Sequence, residues 1–145
     1  MNFNDNLNPK WVSVGLDDYT VDWADQFGKH LTSNTNDLKP LTTSQLRRFF
    51  GELKRIQSDF QNNQNDIPLL KVKLAYAVGR DKKKERGRGH VIKSQSKIID
   101  FYNQLNVGFS ELNLKNNDLE KRFNNFTKII EAIVAFHKYH GGDPK

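Results

Sequence analysis

The sequence contains no cysteine. Disulfide scaffolds, thiolate-bound zinc, iron–sulfur clusters and cysteine nucleophiles are therefore excluded. The chain also lacks any apolar run close to the roughly 18 residues that a membrane-spanning helix needs. Residues 1–10 are rich in Asn and have no apolar region of the kind found in secretion signals. We therefore expect a soluble, cytoplasmic protein that has no membrane partner.

The length of 145 residues favours a single domain, because domains commonly contain about 100–150 residues. Asn, Pro and Gly dominate residues 1–16, which we predict to form a flexible N-terminal arm in which Trp11, Val12 and Val14 could dock locally. A single helical-bundle domain is predicted over residues 17–142, followed by a C-terminal tail at 143–145.

The chain carries 23 Lys and Arg residues against 17 Asp and Glu, which gives a formal net charge of +6. This surplus lies in the middle of the chain, because residues 71–97, here called the basic centre, contain ten basic and two acidic residues. Residues 1–37 instead contain six Asp and two Lys. A basic centre beside an acidic segment indicates a polyanionic partner for the centre.

Apolar periodicity predicts helices along most of the chain. Tyr19, Trp23 and Phe27 recur every four residues, which predicts a helix over 18–31. Thr42 and Gln45 fit a capping box at the start of a second helix. The apolar stripe of this second helix has helical spacing and consists of Leu46, Phe49, Phe50, Leu53, Ile56 and Phe60.

The segment that begins at Ile67 is compatible with two structures. Leu70, Leu74 and Val78 have helical spacing, whereas the alternation over residues 70–74 also suits a strand. We favour a helix that ends at Gly79, because no second strand candidate is present to pair with it.

The remaining segments complete the predicted bundle. Residues 79–90 contain three glycines and a cluster of basic residues, which favours a mobile loop with frayed helix at 81–86. Helical patterning resumes at Val91 and ends near Gly108, and residues 117–120 fit a cap for the last, most hydrophobic helix. We predict that this last helix is central. The expected fold is all-α, a compact bundle of about five helices with a basic loop.

Patterns typical of catalysis are weak in this sequence. His137 and His140 lie three residues apart, but the sequence places no third metal ligand beside them. The G-x-S-x-G nucleophile motif and the Walker phosphate loop are both absent from the sequence. We therefore predict that the protein is not an enzyme and uses neither a metal nor another cofactor.

The basic residues instead predict RNA binding through the sugar–phosphate backbone. Gly-Arg-Gly in the loop permits close approach to a phosphate, and a separate helix carries further basic residues. No helix shows the spaced Asn or Gln residues typical of base reading. Trp11, Tyr19, Tyr76 and Tyr102 are weaker candidates for base stacking. The predicted RNA-binding residues are Arg47, Arg48, Lys54, Arg55, Arg80, Lys82, Lys83, Lys84, Arg86, Arg88 and Lys138.

Three other functions stay open from the residues alone. The first is a free-standing basic helical module that binds DNA or RNA. The second is a ribonuclease, and the third is an assembly protein whose lysine run only keeps it in solution.

Three motifs in order resemble a known family. They are TTSQLR at residues 42–47, KLAYAVGR at 73–80 and FTKIIEAIVAFHKY at 126–139. The chain resembles the small subunit of the type III-A CRISPR effector, the Csm complex, from about Thr20 to Tyr139. Phe136 stands where the family pattern has Tyr, which removes a hydroxyl group at that position.

The resemblance implies an all-α subunit present in several copies, stacked head to tail beside the crRNA-bearing backbone of the complex. Such subunits line the guide–target duplex, support the target RNA and leave its cleavage to other effector subunits. The implied partners are crRNA, target RNA, other CRISPR effector subunits and copies of the chain itself. Arg47, Arg80 and Lys138 match the family's basic positions, and the resemblance implies that they contact the RNA backbone.

Overall fold

A computed structural model describes residues 5–35, 37–84 and 92–142, with the backbone alone at 83–84 and 92–93. These residues form seven α-helices, a 3-10 turn and one short antiparallel ribbon. Five of the helices contain twelve residues or more, which confirms the predicted all-α bundle of about five helices. In chain order the elements are α1 (Lys10–Ser13), α2 (Asp18–Thr32), α3 (Thr43–Ser58), α4 (Phe60–Asn63), a 3-10 turn (Gln64–Asp66), α5 (Ile67–Asp81), β1 (Lys82–Lys84), β2 (Ile92–Ser94), α6 (Ile98–Phe109) and α7 (Leu119–Tyr139). Within the described part of the chain, no helix is both long and apolar enough to cross a membrane.

Helix α7 is the central element, as its hydrophobic pattern predicts. It packs against α1, α2 and α3. Phe123 and Phe126 are fully buried, and their rings lie 5.9 Å from Phe60 and 5.2 Å from Phe109, measured between centroids. Burial of this helix on several sides removes apolar area from water and thereby stabilises the bundle.

Helices α2 and α7 approach closely at Gly28. A Cβ atom at this position would lie 2.8 Å from Phe136 Cβ and 2.9 Å from the His137 backbone nitrogen. Both distances are shorter than van der Waals contact, and neither neighbouring atom belongs to a flexible side-chain end. Gly28 therefore sets the separation of the two helices.

We expect Gly28→Ala to lower the free energy of unfolding by about 1–3 kcal/mol, because overpacking outweighs the better helix propensity of Ala. Gly51→Ala is the matched control, since Gly51 lies in α3 with nothing within 4 Å of the added Cβ. This control should stabilise the protein by about 0.5–1 kcal/mol. Urea denaturation of both variants measures the two values, and equal stabilisation by both would contradict the close approach.

Helices α2 and α3 each begin with a capping box. The Gln45 backbone N–H donates to the Thr42 hydroxyl at 3.2 Å, and the Thr42 N–H donates to Gln45 Oε1 at 3.0 Å, as predicted. Asp17 and Thr20 form a second box on α2 that the sequence reasoning missed. The cap predicted at 117–120 is wrong, because the Asp118 carboxylate makes no cap bond and accepts from Arg122 Nε at 2.8 Å instead.

The N-terminal segment packs against the bundle over residues 5–16. Leu7 and Val12 are fully buried and Trp11 is nearly so. The Leu7 N–H donates to Gln104 Oε1 at 2.9 Å, and Asn125 Nδ2 donates to the Val12 carbonyl at 2.9 Å. This packing differs from the flexible arm that composition predicts, because three apolar residues and two buried amides outweigh the polar surroundings. The division at 17–142 stays a prediction.

Helix α5 confirms the helical interpretation of the segment after Ile67 and continues past Gly79 to Asp81. Lys82–Lys84 then pairs antiparallel with Ile92–Ser94, a short ribbon that was not predicted from the sequence, and the predicted frayed helix is wrong at 82–84. The Asp81 carboxylate closes the ribbon by accepting the N–H groups of Gln95 and Ser96 at 3.1 and 2.9 Å. Residues 85–90 of the predicted loop, and Val91 after it, lie outside the described residues.

Two predicted boundaries also move. Helix α6 begins at Ile98 rather than Val91, because residues 92–97 are used by the ribbon and by backbone bonds to Lys39. Helix α3 ends at Ser58, and the buried Phe60 continues its apolar stripe from the separate turn α4.

Candidate nucleic-acid interface

The described part of the predicted RNA-binding set lies on four elements. Arg47, Arg48, Lys54 and Arg55 lie on α3, Arg80 on α5, Lys82 at the start of β1 and Lys138 near the end of α7, and all seven are exposed. The side chains of Lys83 and Lys84 and the whole of Arg86 and Arg88 lie outside the described residues.

Helix α3 presents its arginines outward because its apolar stripe faces the core. Leu46, Phe49 and Leu53 are buried, and Arg47 and Arg48 occupy the positions between them. Arg48 lines a groove between α3 and α5, and Arg80 lines the same groove from α5. Two predicted residues that are 32 positions apart in the sequence are thus brought together.

The charged side chains close to Arg48 form an ion-pair network with one another. Glu52 accepts from Lys73 Nζ at 2.8 Å and from Arg55 Nε at 2.9 Å, and Arg55 Nη2 also reaches Asp66 at 3.2 Å. Hydrogen bonds from Lys73 and then Arg55 hold the pKa of the Glu52 carboxyl below its usual value. Arg55 is therefore held by two carboxylates, whereas Arg48, two turns earlier on α3, pairs with no carboxylate in the part of the chain that the structure describes.

Two of the predicted cations lie over aromatic rings. Arg80 is 5.7 Å from the centroid of Tyr76, whose side chain is 67% exposed, and Lys54 is 5.8 Å from that of Phe50. Tyr76 therefore remains accessible as a stacking surface. Trp11 does not, because it is buried against Trp23 at a centroid distance of 5.6 Å.

Lys138 lies at the same end of the bundle as the first residue of α3. The adjacent His137 is buried, and its Nε2 lies 2.6 Å from the carbonyl oxygen of Leu41, two residues before α3. Since a carbonyl only accepts, Nε2 is the protonated nitrogen of the ring. This bond fixes the end of α7 against the start of the helix that carries Arg47.

One member of the basic centre is internal. Lys97 is fully buried, and its Nζ donates to the His30 carbonyl at 2.8 Å and to the Ser33 and Thr35 hydroxyls at 2.6 and 2.7 Å. Burial lowers the pKa of the Lys97 ammonium, partly offset by the charge of Asp100. The charge of Lys97 therefore stabilises a loop and takes no part in the surface.

The described histidines His30, His137 and His140 have structural partners. His30 Nε2 lies 2.8 Å from an oxygen of Asp100, and His140 Nε2 contacts an oxygen of Asp25. Across the described ranges, no three His, Asp or Glu side chains are grouped so that they could hold a metal ion.

Sequence reasoning assigned Arg48 and Arg80 to the site but missed the other nine residues that line the groove, among them Gln45, Lys73 and Ala77. Their spacing carried a usable signal. Gln45, Arg48 and Glu52 follow one another at three and four residues on α3, and Lys73, Ala77 and Arg80 do so on α5. Each set therefore marks one helix face, although the pattern does not tell which two faces meet.

Comparison with family models identifies a match over most of the chain. A family model described as Csm2 Type III-A matches residues 18–143 of the chain. No curated protein and no solved structure matches it.

Proposed function

Since the chain belongs to the Csm2 Type III-A family, and is thereby a small subunit of the type III-A Csm complex, we propose that it is a non-catalytic RNA-binding subunit. In this role it acts in the cytoplasm and in antiviral defence, without a cofactor. It contacts the backbone of the target RNA, while pairing between crRNA and target supplies sequence specificity. The protein then has to recognise only shape and charge.

The observation that carries this proposal is a set of exposed cations on the adjoining elements α3 and α5. Arg47, Arg48 and Arg80 are exposed, and none of them forms an ion pair with another described residue. The nearby acids Glu52 and Asp66 are instead occupied by Lys73 and Arg55. Uncompensated guanidinium groups suit phosphate oxygens, which they bind in a fork geometry. Lys138 adds a fourth exposed cation at the end of α7.

An acidic helix face supports the further proposal that copies of the chain stack head to tail. Asp18 and Asp22 are exposed on one side of α2, close in sequence to the exposed Tyr19 and Val21. Asp17 and Asp25 are used internally, by the α2 capping box and by His140. Asp18 and Asp22 are therefore the residues that we assign to contact with a basic neighbouring surface.

The double variant Arg47→Ala, Arg80→Ala tests the proposed RNA contact in the assembled complex. A plot of log binding constant for target RNA against log salt should become shallower, by about 0.7–0.9 for each phosphate that the protein no longer neutralises. Arg55→Ala is the matched control on α3 and should change the slope less, because two carboxylates already hold Arg55.

An unchanged slope in the double variant would contradict the RNA contact. Duplex DNA that competes with RNA as well as RNA itself would favour the free-standing DNA-binding alternative. Cleavage of labelled RNA by the purified subunit would contradict the non-catalytic role.

A further inference from the structure

The groove between α3 and α5 has the size of a small ligand site. Its volume is about 310 Å³, and the first residue of α6, Ile98, also lines it. Small-molecule sites commonly enclose about 300–1,000 Å³. The groove is thus large enough for one ligand of modest size.

The inner wall of the groove is apolar. Phe49, Leu70, Leu74 and Ile98 line it, and each is at least nine-tenths buried in the protein. Phe49 is held edge-on against Phe101, with 5.5 Å between ring centroids. A wall of rigid apolar side chains favours a flat ring over a flexible chain.

The charges at the mouth of the groove select an anion. The two carboxylates are occupied, because Glu52 binds Lys73 and Arg55, and Asp81 accepts two backbone N–H groups. Arg48 and Arg80 are the lining cations that have no carboxylate partner among the described residues. A ligand that places a phosphate between these two guanidinium groups would gain charge-assisted hydrogen bonds.

Gln45 provides a polar group of defined orientation beside the apolar wall. Its Oε1 accepts from the Thr42 N–H at 3.0 Å and from the Thr42 hydroxyl at 3.2 Å. The capping box therefore engages the amide oxygen and leaves the NH₂ group as the donor that a base edge can use.

We propose that this groove binds one nucleotide, with the base against Phe49, Leu74 and Ile98 and the phosphate at Arg48 and Arg80. This inference rests on the proposed RNA-binding function and adds to it that the subunit takes up an unstacked base as well as backbone. A single base held in this way fixes the register of the RNA on each copy of the protein. The base is taken up by shape and stacking, with no preference for sequence.

Binding of adenosine 5′-monophosphate to the purified protein, followed by NMR chemical shifts, tests the proposal. We expect at least tenfold weaker binding of both adenosine and ribose 5-phosphate, because each lacks one of the two contacts. Ala77→Leu fills the groove and should weaken binding of the nucleotide at least tenfold. Ala75→Leu makes the same change on the exposed side of α5, outside the groove, and should leave binding unchanged. Arg48→Gln, at an exposed site, should weaken binding of the nucleotide but not of adenosine.

The outcomes separate this inference from the RNA-binding function. Equal binding of ribose 5-phosphate and the nucleotide, unaffected by Ala77→Leu, would overturn the base site while leaving the backbone contact intact. A short single-stranded RNA should displace the nucleotide, and failure to displace it would overturn the assignment of the groove to RNA. In the assembled complex, Ala77→Leu should weaken binding of target RNA but change the salt slope less than Arg47→Ala, Arg80→Ala does, since it removes no cationic side chain.

Discussion

Replacing Lys97 by alanine is expected to lower the free energy of unfolding by about 3 kcal/mol. The variant truncates a fully buried stem and removes three hydrogen bonds, to the His30 carbonyl and to the Ser33 and Thr35 hydroxyls. Part of this loss is offset, because folding of the variant no longer has to desolvate an ammonium group. Urea denaturation of the purified variant measures the change.

Two further variants locate the origin of the effect. Lys97→Met keeps most of the buried stem and should lower the free energy of unfolding by about 1 kcal/mol. This difference is the stabilisation from the lost hydrogen bonds minus the desolvation cost of the ammonium, which the variant avoids. Lys39→Ala is the matched control, because Lys39 exchanges backbone hydrogen bonds with this segment while its side chain is exposed. It should stay within about 0.5 kcal/mol of the unchanged protein. An equally small effect of Lys97→Ala would contradict the structural role.

Much of the fold follows from local patterns. The capping box at Thr42 and the stripe from Leu46 to Ile56 predict α3, because both depend on spacing within one helix. The ribbon could not be predicted in the same way. It depends on Asp81, whose carboxylate accepts from the backbone N–H groups of Gln95 and Ser96, 14 and 15 residues later in the sequence. Docking of Leu7 and Val12 likewise depends on amides from α6 and α7 that no local pattern reveals.

The candidate site, like the fold, could be predicted only where it depends on spacing within one helix. Exposed arginines on α3 follow from the helical period, which places Arg47 and Arg48 beside the apolar stripe. The sequence does not show that Arg55 is paired while Arg48 is available to a ligand. Asp66, one of the carboxylates that hold Arg55, comes from a different element. The basic centre includes Lys97 for the same reason, since sequence gives a charge but not whether the structure buries it.

His137 links the fold to the proposed interface, and its replacement should be costly and dependent on pH. We expect His137→Ala to lower the free energy of unfolding by about 2–4 kcal/mol, through a buried cavity and an unsatisfied Leu41 carbonyl. Because the bond that this variant removes joins the end of α7 to the start of α3, the variant should also loosen the positions of Arg47 and Lys138. A decrease of about 0.5 kcal/mol or less, typical of a surface substitution, would contradict this role.

Acid should reduce the contribution of His137 in a defined range of pH. Burial lowers the pKa of the imidazole below its ordinary value, an effect opposed in part by the hydrogen bond to Leu41. The folded protein therefore prefers the neutral ring, whereas the unfolded chain gains a proton near its ordinary pKa of about 6.5. The stabilising contribution is complete above about pH 6.5 and declines as the pH falls towards the lower folded value. The difference in unfolding free energy between the unchanged protein and His137→Gln, measured from about pH 8 to about pH 5, isolates this group, because His30 and His140 are common to both. A difference that stays constant over this range would show that the buried ring is not the group that titrates.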